Sequence, residues 1–183
     1  MLTLPETAAR VGHYAWFERR LFEVVGAWVP TVPASDEAEL EAKLHFAVQA
    51  EHHAWHAELW MRRLPEAREL PRSSLTVPPS SEFAAFVEGL AAESTTLGRL
   101  VGLVRVATAR LLVALDAHAG VVAPLADGSL LRTMRLVRGD LWEDVRAGER
   151  ILGCLTTSRG ETDAVEAIQA AMEREAGRGA GLA

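Results

Sequence analysis

The chain has one cysteine (Cys154), one lysine (Lys43) and one tyrosine (Tyr14) among 183 residues. A lone cysteine excludes an intramolecular disulfide and zinc-spaced thiols, and it is consistent with a reducing compartment. Lysine and arginine total 19 against 25 acids, a net charge of −6. The basic stripe that phosphate binding needs is missing, so no nucleic-acid partner is expected. No long apolar run is free of charge. The most apolar stretch, residues 97–115, carries Arg99, Arg105 and Arg110, so no membrane span is expected. The opening Met-Leu-Thr-Leu-Pro-Glu has neither the basic nor the apolar region of a signal peptide, and a cytoplasmic location is expected. Period-two alternation and Asn-Gly turns are absent, which argues against strands. A phosphate-binding glycine loop and Gly-x-Ser-x-Gly are absent too.

What is present is helical. Apolar residues make up 49% of the chain, enough for one domain with a sizeable core. Residues 1–177 are assigned to it, and 178–183 to a flexible tail. The first helix should begin near Pro5 and stop at Pro30 and Pro33, with Val11, Ala15, Phe22, Val25 and Val29 on one face. Ser35 and Asp36 offer a cap for a second helix, with Leu40, Leu44, Val48, Trp55 and Leu59 inward. A proline-marked stretch from Pro65 to Ser81 is long for a connection and predicts a crossover. With Ser81 as cap, a third helix is expected to run unbroken to about His118. A turn at Gly120 and Pro124 precedes a fourth, on Leu130, Met134, Val137, Leu141, Val145, Leu152 and Leu155, which Gly160 should break. A short C-terminal helix, about 161–176, follows. The expected fold is all-α: an antiparallel four-helix bundle with one long crossover.

Charged residues fall on these stripes. Glu18 lies between Ala15 and Phe22, Glu51 between Val48 and Trp55, Glu93 between Leu90 and Leu97, and Asp144 between Leu141 and Val145, with Glu143 as its substitute if the helix is rotated. Buried carboxylates must pair, take up a proton or bind metal. The segment Glu51-His-His-Ala-Trp-His-Ala-Glu-Leu-Trp60 adds His52, His53 and His56. His52 and His56 share a face, and His53 and His56 are also neighbours; the three cannot all point inward. The candidate metal ligands are therefore Glu18, Glu51, His52, His56, Glu93 and Asp144. Cys154 is expected to be a buried inert thiol, and the five tryptophans core or interface packing.

Four helices, one crossover and a glutamate ahead of a histidine cluster resemble the ferritin-like superfamily. Its di-metal members carry a lone Glu on two helices and Glu-x-x-His on the other two. The sequence departs from that pattern: Ala54 stands three residues after Glu51, and the fourth helix has no histidine. The resemblance implies an iron or manganese cofactor and an oxidoreductase or oxygenase acting on a small molecule. The alternative is a metal-free helical scaffold or dimerising partner protein with a degenerate site. A homodimer is expected under either reading.

Overall fold

The computed structural model describes residues 2–123, 127–156 and 159–177. They form an all-helical protein with no strand among them. The expected tail, 178–183, and the turn at Pro124 lie outside the described residues.

Helix α1 (Leu4–Trp28) opens with a reciprocal cap, in which the Thr3 hydroxyl accepts from the Glu6 N–H and the Glu6 carboxylate accepts from the Thr3 N–H. Pro30 ends it in a single 3-10 turn, Val29–Thr31. Asp36 then caps α2 (Glu37–Met61) by accepting from the Glu39 N–H at 2.9 Å. The connection beyond α2 is not featureless. It contains the short α3 (Arg72–Leu75), whose Leu75 carbonyl lies where a Cβ on Gly12 would go, so only glycine lets it cross α1 there.

The third long element is not one helix. Helix α4 (Ser81–Ala91), capped by Ser80, ends before Glu93, and α5 (Thr96–Leu100) starts afresh under a cap from Thr95. The residues Glu93-Ser94-Thr95 are better partners for free backbone N–H groups than for a helix interior. A π-helical stretch, Val101–Thr108, follows and leads into α6 (Ala109–Ala119). Helix α7 (Gly128–Leu155) and α8 (Arg159–Gly177) are the last two described elements. Gly160 therefore sits inside α8, and the break falls just after Leu155.

Cross-helix contacts give the directions. Tyr14 packs on Trp60 at 5.2 Å and Trp28 on Phe46 at 5.4 Å, so α1 and α2 are antiparallel. His52 meets Asp144 and His56 meets Asp140, so α2 and α7 are antiparallel. Arg105 grips Glu149 through two 2.7 Å bonds and Asp116 pairs with Arg138, which opposes α7 to α6 and the π stretch. Helix α8 covers α4 and the π stretch, where Gly102 makes room for Leu90 and Met172.

The core is not where the α2 periodicity placed it. Leu40, Leu44, Val48 and Trp55 are exposed, and the buried face of α2 is Ala42, Phe46, Ala50, Ala57 and Trp60 with polar residues between them. Phe22 is exposed as well, with Phe17 and Leu21 buried in its place on α1. Trp16, Trp28 and Trp60 are buried, whereas Trp142 and the thiol of Cys154 are exposed. No helix among the described residues is long and apolar enough to cross a membrane.

Candidate metal centre

Every three or four residues along the inner face of α2 stands a polar side chain: His45, Gln49, His53 and His56, all buried. That spacing holds them on one stripe. From α1, Glu18 projects between the core residues Phe17 and Leu21 towards the last two, and like them it has no exposed surface. His53 Nδ1 lies 2.6 Å from Glu18 Oε2, and His56 Nδ1 lies 3.4 Å from Glu18 Oε1. One ligand atom from each of the three falls within 4.8 Å of the others, so the group could hold a metal ion.

A fourth residue orients the set. His56 Nε2 lies 3.0 Å from Asp140 Oδ2 on α7. A proton on Nε2 bonded to that carboxylate leaves the Nδ1 lone pair facing Glu18. This is how carboxylates orient metal-binding imidazoles. Glu18 Oε1, His53 Nε2 and His56 Nδ1 have no hydrogen-bond partner. Buried polar atoms in that state are costly unless something fills the gap.

Electrostatics tie the centre together. Burial pushes the Glu18 carboxyl up, but the charge of His56 and the hydrogen bond and charge of His53 outweigh it, leaving it at about 2. Burial pulls His56 down, but the charge and bonding of Glu18, then Asp140, bring it up to about 9. At neutral pH without a metal, Glu18 and His56 form a buried ion pair. An incoming cation must displace the His56 proton.

Around this core the remaining polar groups pair or stay neutral. His52, half-buried, holds Asp144 through Nδ1 at 2.9 Å. Burial takes His45 down to about 4, and Gly148 leaves the space its ring needs, since a Cβ there would stand 3.2 Å from His45 Nε2. One turn from Glu18, the Tyr14 hydroxyl lies 3.2 Å from His118 Nδ1 and donates to the Ala114 carbonyl. Burial pushes that hydroxyl up and His118 down to about 4.

Of the six residues picked out by sequence, Glu18 and His56 come together. His53 stands beside them where His52 was expected, and His52 turns to Asp144. Glu51 is exposed on the outer face of α2. Glu93 lies in the α4–α5 connection and accepts from the backbone of Ser94 and Thr95, each at 2.8 Å. Asp144 is buried beside His52, and Glu143 is exposed. The signal that identifies the centre is His53-x-x-His56, one turn of a single face. Asp140 carries no such mark; only the α2–α7 pairing reveals it. No family model, curated protein or solved structure matches this chain.

Proposed function

We propose that this chain is a metal-binding protein in which Glu18, His53 and His56 hold one iron or manganese ion for redox chemistry on a small molecule. The observation that carries this reading is the buried convergence of ligand atoms from Glu18, His53 and His56 within 4.8 Å of one another, with His56 Nδ1 aimed at Glu18 by the bond from Nε2 to Asp140. Two imidazoles and one carboxylate form the donor set of many non-haem iron sites that keep open positions. A redox-active ion in such a site supplies one-electron chemistry with dioxygen. The chain's own contribution is different. Glu18 provides the negative charge, Asp140 fixes the His56 tautomer, and Tyr14, Trp60 and Phe17 keep water away from one side.

The antiparallel pairs α1–α2 and α6–α7, joined by the long connection after α2, support a four-helix bundle with one crossover, the ferritin-like layout. A single nitrogen-rich site is a departure from the two-metal, carboxylate-rich sites of that superfamily.

The metal-free scaffold reading has one observation in its favour: the Glu18–His56 ion pair satisfies much of the centre without any ion. Metal content separates the two. Protein purified without chelator from iron- and manganese-supplemented cells should carry close to one ion per chain. Glu18→Gln and His53→Ala should lose it, and Glu51→Ala should keep it. Metal-free parent protein that refuses Fe(II) and Mn(II) while remaining helical would sink the metal reading.

A further inference from the structure

The outer face of α2 carries an apolar stripe that none of the described residues covers. Leu40 is 47% exposed, Leu44 58%, Val48 46% and Trp55 43%, and Leu59 extends the line as a partly buried residue. Steps of four and seven residues keep these side chains on one side of the helix. The stripe spans about 30 Å at 1.5 Å per residue. Isolated exposed apolar residues are ordinary, but a contiguous row of leucine, valine and tryptophan marks a binding surface.

We infer that this face is the interface of a homodimer in which α2 packs antiparallel on α2 of a second copy. The argument is the charge pattern of the helix itself. Its N-terminus is acidic and exposed (Asp36 and Glu37), and its C-terminus is basic and exposed (Arg62 and Arg63). An antiparallel pair brings opposite ends together. One register then pairs the charged ends and aligns the apolar row. Numbers that add up to 99 face each other, setting Arg62 opposite Glu37, Leu40 opposite Leu59 and Leu44 opposite Trp55. Val48 covers the stem of Glu51, which lies near the two-fold axis with its charge free to reach water. A parallel pair would stack acid on acid and base on base.

The same register opposes Glu41 and Glu58. Arg62 accompanies Glu58 at 2.5 Å in its own chain, and its remaining donors are the ones that reach Glu37 of the second copy, while Glu41 lies 3.9 Å from Arg150. An isologous contact of this kind needs only one self-complementary patch, the commonest way for copies to associate. The inference is independent of the metal centre, which faces the other side of α2.

The test is sedimentation equilibrium on the full chain, with circular dichroism to verify the fold. The parent is expected to be a dimer at micromolar concentration. Leu44→Glu should weaken dimerisation by ~100-fold or more, because it buries an unpaired charge opposite Trp55. Leu44 is exposed, so helicity should be unchanged. Arg62→Glu alone should weaken the dimer, and Arg62→Glu with Glu37→Arg in the same chain should recover it, which only this register predicts. A parent that is monomeric up to ~100 μM overturns the inference, including the case where a different protein occupies the face. So does a dimer that survives both Leu44→Glu and Trp55→Glu.

Discussion

Helix α2 has two working faces, and they contradict the usual division of polar and apolar residues. Its inner face buries His45, Gln49, His53 and His56 among alanines and aromatics, and its outer face shows leucine, valine and tryptophan to solvent. The inner polar groups are held in the core by Glu18, Asp140 and the packing of Tyr14, Trp28 and Phe46 around them. The outer apolar groups have no such neighbours. Periodicity reports that a helix has a stripe; burial depends on what the stripe meets.

The comparison is sharpest where one face is disturbed and the other left alone. The largest effect is expected at Glu18. Glu18→Ala strands the buried imidazoles and should cost the metal-free protein about 3–5 kcal/mol, the typical loss when one partner of a buried pair is removed. Urea unfolding measures it, and a loss under about 1 kcal/mol would mean that the pair contributes little.

The second effect is on pH. Because His56 is held up at about 9, metal must displace its proton, so apparent affinity should drop about tenfold for each pH unit below that value. A chelator-competition titration reads the slope, and a flat profile would remove His56 from the ligand set. The same shift acts on stability. A raised histidine stabilises the fold fully below its unfolded value, 6.5, and the gain is lost as pH climbs through about 9. His45 and His118, buried neutral at about 4, act at the other end and cost stability as pH falls below 6.5. Metal-free protein should therefore melt highest near neutrality, and bound metal should abolish the alkaline decline.

A smaller effect is expected at the α7 wall. Gly148→Ala would press a methyl group into Val104 and the His45 ring, costing about 1–3 kcal/mol as overpacking. The smallest is on the outer face. Val48→Ser should change the stability of the dilute protein by no more than about 0.5 kcal/mol, as read by thermal melts. A larger loss would place Val48 in the core after all.

Much of the fold was legible. Pro30, Asp36 and the apolar stripe of α7 act locally, through ring geometry, a side-chain cap and one buried face, and all three read correctly. Glu18 was legible because Val11, Ala15 and Val25, read as its face, are buried with it, although Phe22 on that face is exposed. The inner face of α2 was not, since its alanines and histidines give a weaker apolar signal than the leucines opposite. Glu93 misled for a related reason. Leu90 and Leu97 are both apolar, but the Ser-Thr-Thr between them starts a new helix rather than continuing the old one. The bond of Asp140 to His56 was not legible because it depends on the α2–α7 register, a long-range property.

The π-helical stretch, Val101–Thr108, has a consequence for how the chain tolerates changes of length. A π turn holds more residues than an α turn, so the stretch stores slack in the sequence. Removing one residue there could be absorbed by tightening to α geometry, with no break in the helix. Downstream the facing would be kept, because a π turn and an α turn with one residue fewer both complete about one revolution, so His118 would still meet Tyr14 and Asp116 would still meet Arg138. The bulge thus holds a residue more than the phase of α6 requires, and the side of α6 that looks at α1, one turn from Glu18, is set with or without it.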